Sequence, residues 1–143
     1  MTNQIVLKII LALLGVFVVF SGLDMTLGGF FTLGWMEQVT FFEVVDDAKF
    51  QEADNHYRFL GGVWTGMGVL LILSVTNLKK YQSMLTLVFA CVFLGGLARL
   101  SQMNAEVLLS PGVLWAFVVE VVGMPLLYLW LSKSVVDGIS SEV

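Results

Sequence analysis

Glu120 is the residue of this chain whose surroundings point most directly to chemistry. It lies within Val113–Leu131, a run of 19 residues that is otherwise almost entirely apolar. A helix of that length spans roughly 28 Å, which is close to the thickness of the hydrocarbon core of a bilayer. An ionised carboxylate at that depth costs about 2.5–3.5 kcal/mol unless it is paired, protonated or hydrated. We therefore expect Glu120 to have a polar partner or to carry a proton inside a membrane.

Four other polar residues lie at the ends of apolar runs. Asp24 ends the first run, Asn55 and Arg58 precede the second, and Arg99 ends the third. If each run crosses the membrane once, all four fall in the same half of the protein as Glu120. An arginine close to a carboxylate keeps it ionised and donates several hydrogen bonds to it. These five residues are therefore predicted to form a buried network, which serves either as a structural ion-paired cluster or as a ligand-binding pocket.

The elements that would position these residues are membrane helices. The chain is 58% hydrophobic and 13% charged, whereas soluble domains have about 25% charged residues. The composition predicts an all-α protein, a bundle of four transmembrane helices in one domain, 1–143, with a long extracytoplasmic connection, 24–57. The predicted helices cover residues 5–23, 57–78, 83–101 and 113–132.

The long connection carries several local signals. Phe30, Phe31 and Trp35 are typical of the membrane–water interface and predict a short interfacial element there. Residues 36–45 fit a strand and an amphipathic helix equally well. Asp46 or Asp47 is a suitable N-cap for the helix that leads through Arg58. In the fourth helix, Pro125 removes a backbone donor and predicts a kink about one turn beyond Glu120.

Small residues recur along the predicted helices and are expected to let those helices approach closely. The second helix holds Gly62 and Gly66 in a G-x-x-x-G arrangement, and Arg58 shares their face. The third helix places Cys91 and Gly95 on the face of Arg99. These small-residue faces are predicted to point into the bundle.

The distribution of lysines predicts an orientation. Lys8, Lys79, Lys80 and Lys133 would all lie on one side of a membrane crossed four times. Because positively charged loops stay in the cytoplasm, both termini are expected there. The chain is accordingly predicted to be a multi-pass protein of the bacterial inner membrane, with the lipid bilayer as its first partner.

Several function classes find no support in the sequence. A net charge of −4 does not favour nucleic acid as a partner, which would require basic patches. No cofactor or metal site is predicted, because His, Cys and carboxylates do not show ligand spacing. Phosphate-binding, nucleophile-elbow and dinucleotide motifs are also missing, so an enzyme is not expected.

Three short patterns resemble a known family. They are Asn55-His56-Tyr57-Arg58-Phe59-Leu60-Gly61-Gly62, Gly95-Gly96-Leu97-Ala98-Arg99, and Glu120 followed by Pro125. Their order and spacing are similar to those of small bacterial four-helix integral membrane proteins catalogued as a domain of unknown function. The resemblance covers nearly the whole chain. It implies the same fold and singles out Asn55, Arg58, Arg99 and Glu120, but it implies no activity or substrate.

Three functions are consistent with these observations. The first is a non-enzymatic accessory or scaffold subunit, or a binder of lipid or a small ligand, with a membrane-protein partner or a second copy of itself. The second is a small proton-coupled transporter that uses Glu120. An enzyme acting on a lipid has only the cluster of Glu120, Arg99 and Arg58 to support it.

Overall fold

The computed structural model describes residues 2–33, 35 and 43–140, with side chains at 3–33, 35 and 43–135. The described residues are mostly helical, and none of them lies in a strand. The α-helices are α1 (Thr2–Gly28), α2 (Asp47–Ser74), α3 (Gln82–Ala98), α4 (Ala105–Leu108), α5 (Pro111–Val118) and α6 (Met124–Ser140). Short 3-10 turns follow α1 and α3, at Gly29–Phe31 and Arg99–Gln102, and a π-helical turn, Val119–Gly123, joins α5 to α6.

Four helical segments are long and apolar enough to cross a bilayer, which confirms the predicted all-α class. They are Asn3–Phe31, Asp47–Ser74, Gln82–Gln102 and Pro111–Val135. The first is longer than predicted at both ends, and the second begins ten residues before position 57. We call the last segment, which contains α5, the π-turn and α6, the fourth span.

The start of α2 confirms the predicted cap. Asp46 has an extended backbone, and its Oδ1 accepts a hydrogen bond from the Lys49 amide at 3.1 Å. This bond satisfies one of the amides that the first turn of a helix leaves without a partner. The helix then continues without a break through Arg58, as the sequence predicted. Residues 36–45 fitted both a strand and a helix. Of these, residues 36–42 lie outside the described residues, and residues 43–45 are not helical.

The contacts divide the chain into two compact units. The N-terminal unit is Lys8–Val75, and the C-terminal unit is Thr76–Val143 together with Met1–Leu7. The prediction of a single domain, 1–143, stays a prediction.

Glycines bring α1 and α2 of the N-terminal unit into backbone contact. A Cβ on Gly15 would lie 2.9 Å from the Gly68 carbonyl oxygen, and one on Gly22 would lie 2.9 Å from that of Gly61. The paired glycines are seven residues apart on each helix, which returns them to the same face after two turns. Trp64 Nε1 donates to Ser21 Oγ across the same contact at 2.9 Å. Close approach therefore holds this unit together.

The predicted role of the G-x-x-x-G glycines is wrong. Among the described residues, nothing lies within 4 Å of a Cβ built on Gly62 or Gly66, and both residues are exposed. The adjacent Gly61 is the buried one. Neighbouring residues point about 100° apart around a helix, so the choice between two consecutive glycines decides which face packs.

In the C-terminal unit, α3 packs against the fourth span. Leu85 and Phe89 of α3 and Leu127 and Leu131 of α6 are buried hydrophobic residues of this unit. The beginning of α1 also belongs here, because Gln4 Nε2 donates to the Ser134 carbonyl oxygen at 2.7 Å. Cys91 and Gly95 are exposed, so the predicted small-residue face of the third helix does not point inward either.

The adjacent pair Gly61 and Gly62 provides a matched test of this packing. A Cβ on Gly61 would lie 2.7 Å from both Met25 Cβ and Thr26 N, so we expect Gly61→Ala to lower the free energy of unfolding by about 1–3 kcal/mol. Gly62→Ala meets nothing and should leave stability unchanged or raise it by about 0.5–1 kcal/mol. Reversible unfolding in detergent micelles measures both. Equal losses for the two variants would contradict the assignment of faces.

Candidate functional site

Arg99 and Glu120 form a two-pronged ion pair between α3 and the fourth span. Arg99 Nε donates to Glu120 Oε2 at 2.6 Å, and Arg99 Nη2 donates to Glu120 Oε1 at 2.7 Å. Parallel bonds of this kind fix the guanidinium plane as well as the charge separation. The Glu120 side chain is 14% exposed and that of Arg99 is 38% exposed. The carboxylate is thus enclosed, while part of the guanidinium stays open.

Gly96 makes room for this pair. A Cβ on Gly96 would lie 2.8 Å from both Glu120 Cβ and Val121 Cγ2. Glu120 therefore rests against the backbone of α3, one turn before Arg99. Its neighbour Gly95 has nothing within 4 Å of the same position. As in α2, only one of two consecutive glycines supports the helix contact.

Local backbone geometry places Glu120 in a widened turn. Val119–Gly123 is π-helical, and the Met124 amide donates to the Val119 carbonyl oxygen, five residues earlier. Pro125 has no amide hydrogen and cannot continue the ordinary pattern of bonds to residue i−4, which favours such a turn just before it. The predicted consequence of Pro125 was a kink, and the feature observed there is this π-turn. Single π-turns within helices occur frequently at functional sites.

An apolar groove begins on the C-terminal side of the π-turn. It has a volume of about 270 Å³ and is lined by Phe89 and Phe93 of α3 and by Met124, Pro125 and Tyr128 of α6. Thr86 also borders it, and its hydroxyl donates to the Gln82 carbonyl oxygen at 3.0 Å. The groove offers an apolar surface and almost no polar group for chemistry.

A second polar cluster lies in the N-terminal unit, and Arg58 is its centre. Arg58 Nε donates to Asp54 Oδ2 at 2.6 Å, one turn earlier on α2. Arg58 Nη1 donates to the Thr26 and Leu27 carbonyl oxygens at 3.2 and 2.7 Å. These carbonyls belong to the last turn of α1, which has no amides of its own to satisfy them. Arg58 therefore caps α1 and favourably places a positive charge at its C-terminus.

Two buried aspartates hold the turn that follows α1. Asp54 Oδ1 accepts from the Phe30 amide at 2.7 Å, and Asp24 Oδ1 accepts from the Leu33 amide at 2.9 Å. Gly29 is the first residue of this turn and has a left-handed backbone with φ +63°. A Cβ there would collide with the Asp54 carboxylate. Only glycine fits this position, because the left-handed backbone and the close contact both exclude a side chain. We call Asp24, Asp54 and Arg58 the connection cluster.

The five residues that the sequence singled out therefore have different surroundings. Glu120 binds Arg99, whereas Asp24 and Arg58 bind the turn after α1 and the end of that helix. Asn55 is exposed on α2. The sequence analysis did not single out Asp54, although it is buried against Arg58. The spacing of i and i+4 between Asp54 and Arg58 on a predicted helix was the available signal.

The chain matches the model of a protein family. The family model described as "Domain of unknown function (DUF4345)" matches residues 6–131, which confirms the resemblance that the three sequence patterns indicated. No curated protein and no solved structure matches the chain. Among the described residues, no three His, Cys, Asp or Glu side chains are grouped so that they could hold a metal ion.

A double-mutant cycle tests whether Arg99 and Glu120 depend on one another. Glu120→Gln leaves an arginine without its counter-charge, and Arg99→Gln does the same to the carboxylate, so each should destabilise the protein. The double variant should lose less stability than the two single variants lose together, with a coupling free energy of about 1–3 kcal/mol. The measurement is unfolding in detergent.

The exposed pair of Lys49 and Asp46 serves as the control for this cycle. Their charged atoms are 3.8 Å apart, and their side chains are 85% and 51% exposed. The cycle of Lys49→Gln and Asp46→Asn should give a coupling energy close to zero, since solvent screens the pair. A coupling energy for Arg99 and Glu120 as small as this would contradict the interpretation of a mutually dependent pair.

Proposed function

The chain belongs to the DUF4345 family, whose model covers most of its length, and we propose that it is a non-enzymatic integral membrane protein that binds a lipid head group or a small polar ligand at Arg99. The ion pair of Arg99 and Glu120 is the site. Two of the five residues that the sequence indicated, Arg99 and Glu120, are thus assigned to ligand binding. The connection cluster is assigned a structural role.

The observation that carries the proposal is the set of hydrogen-bond donors that Arg99 has left over. A guanidinium has five N–H groups, and two of those on Arg99 bond to Glu120. The remaining three have no acceptor among the described residues. The Arg99 side chain lies near the end of a candidate span, Gln82–Gln102. Hydrogen-bond donors without an acceptor are costly in such a position. A ligand with oxygen acceptors would satisfy them.

The geometry of the pair favours an oxyanion. Glu120 occupies the edge of the guanidinium formed by Nε and Nη2, which leaves the edge formed by Nη1 and Nη2 free. That edge presents two parallel N–H groups, an arrangement that matches a phosphate or a carboxylate. Glu120 thereby acts as a positioning residue, because it fixes the plane in which Arg99 meets the ligand.

The connection cluster is a poor alternative site because its own protein partners account for its main charges. Arg58 is shared among Asp54 and two carbonyl oxygens of α1. The carboxylates of Asp54 and Asp24 each accept a backbone amide of the following turn. Such bonds fix the ends of α1 and α2 and leave Arg99 as the better-placed cation for a ligand.

An accessory role fits the same protein. Gly62, Gly66 and Gly95 present exposed backbone on helices of membrane length, and small residues allow another helix to approach closely. We therefore include a membrane-protein partner or a second copy of the chain in the proposal. A ligand held at Arg99 would then belong to a larger assembly.

A proton-coupled transporter is the second candidate, because Glu120 lies on a π-turn within a candidate span. Its pairing with Arg99 opposes this role, because both carboxylate oxygens of Glu120 already accept hydrogen bonds from the guanidinium. Proton-driven efflux from liposomes that Glu120→Gln abolishes would establish the transporter in place of the ligand binder.

The proposed location is the bacterial inner membrane, with both termini in the cytoplasm, as the lysine distribution indicates. Glu52 is exposed on α2 and would then face the periplasm. In a Cys91→Ala background, we expect Glu52→Cys to react with a membrane-impermeant maleimide in intact cells, and Lys79→Cys to react only after lysis. The reverse pattern would contradict this orientation.

Ligand retention is the direct test of the proposed site. The double variant Arg99→Gln with Glu120→Gln removes the cation without leaving a lone charge in the span. Each hydrogen bond to a charged group is worth about 1.5–3 kcal/mol, so retention of an anionic phospholipid should fall at least tenfold, at about 1.4 kcal/mol per factor of ten. Native mass spectrometry of protein titrated with phosphatidylglycerol measures the bound fraction.

Lys79→Gln is the matched control for this test, since it removes one positive charge at an exposed residue outside the spans. It should retain phosphatidylglycerol as the unmodified protein does. A second arm replaces the lipid with inorganic phosphate, which distinguishes a lipid head group from a soluble anion. Equal retention by the double variant and by the control would refute the proposal.

A further inference from the structure

Large apolar side chains are exposed at the end of α1 and in the segment that follows it. Leu27 is 57% exposed, Phe31 51%, Leu33 41% and Trp35 49%. Apolar groups gathered in this way on a surface mark a site of contact with a protein or a membrane. They lie at the end of a candidate span, Asn3–Phe31, so a bilayer is close to them.

Ring contacts fix this segment against α2. Phe30 stacks on Tyr57 with centroids 4.7 Å apart and an angle of 13° between the planes. Phe31 contacts Phe50 at 5.3 Å. The segment is thus held at the level of Phe50–Tyr57 on α2. We call Phe30, Phe31, Phe50 and Tyr57 the aromatic platform. Trp35 is not part of it, because its ring stacks on Phe20 of α1 with centroids 5.2 Å apart.

The exposed surface of α2 changes character at the same level. Before Tyr57 its exposed residues include Glu52, Asn55 and His56, which are polar. Beyond Tyr57, Phe59 is 68% exposed and Leu60 is 55% exposed. A helix surface that changes from polar to apolar within one turn marks the boundary between water and hydrocarbon.

The length of α2 agrees with a boundary at this level. From Tyr57 to Ser74 the helix is about 27 Å long at about 1.5 Å per residue, against a hydrocarbon thickness of about 30 Å. Asp47–His56 then extends beyond the hydrocarbon core.

We infer that the aromatic platform lies among the lipid head groups of one leaflet, with α2 before Phe50 in water and α2 after Tyr57 in hydrocarbon. Tyrosine and tryptophan favour this layer because their rings are apolar and their polar atoms remain hydrated. The platform anchors the N-terminal unit at a defined depth. It also places the connection cluster just inside the head-group layer. This inference does not depend on ligand binding at Arg99.

Spin-label accessibility measures the depth of each position. Single cysteines are introduced by Lys49→Cys, Phe31→Cys and Phe59→Cys in a Cys91→Ala background, and the protein is placed in vesicles of phosphatidylcholine and phosphatidylglycerol. Lys49 precedes Phe50 on α2, and its side chain is 85% exposed. Oxygen collides with labels in hydrocarbon, and a water-soluble nickel complex collides with labels in water. We expect the ratio of oxygen to nickel collisions to rise several-fold from Lys49 to Phe31 and again from Phe31 to Phe59.

Three results would overturn the inference. A label at Phe31 as accessible to nickel as the label at Lys49 would place the platform in water. A collision ratio at Phe31 equal to that at Phe59 would place it in the hydrocarbon core. Shielding of the label at Phe31 from both oxygen and nickel would mean that protein, rather than lipid, covers the platform.

Discussion

A charge on a helix of membrane length and composition needs a counter-charge supplied by the protein itself, and both arginines of this chain have one. Arg99 is paired with Glu120 across two segments, and Arg58 with Asp54 along one helix. Without such a partner, either side chain would make its helix costly to insert into a bilayer. The two pairs differ in what else they bind. Arg58 has carbonyl oxygens of α1 as further partners, whereas three N–H groups of Arg99 have no acceptor among the described residues.

Close backbone contact makes the packing around these charges possible. Hydrophobic burial does not drive one helix against another in lipid, so tight contact between small residues has to contribute. Gly61 and Gly68 let α1 reach α2, and Gly96 lets Glu120 rest on α3. The glycine that supports the helix contact and the residue that carries the charge are thus parts of one arrangement. A methyl group at Gly96 would displace the carboxylate that orients Arg99.

The connection cluster and Arg99 differ in their partners, and this difference bears on function. A cluster whose members are satisfied by backbone amides and carbonyls fixes geometry, and the connection cluster meets that description around Gly29. A cation that is oriented by one partner and still partly exposed can bind an anion. Glu120 lies in the π-turn, Val119–Gly123, and therefore not in regular α-helix. These contrasts favour ligand binding at Arg99 over an equal role for all five predicted residues.

The sequence by itself determined the helical class, the number of membrane-length segments, a cap at Asp46 or Asp47 and the anomaly of Glu120. These follow from hydropathy and from chemistry within a few neighbouring residues. Tertiary structure alone decided that Arg58 binds the carbonyl oxygens at the end of α1, and which of two consecutive glycines packs. A shift of one residue rotates a side chain by about 100° around a helix, and local composition does not record that angle. Contacts between residues far apart in sequence depend on it, so they become visible only when the helices have found their partners.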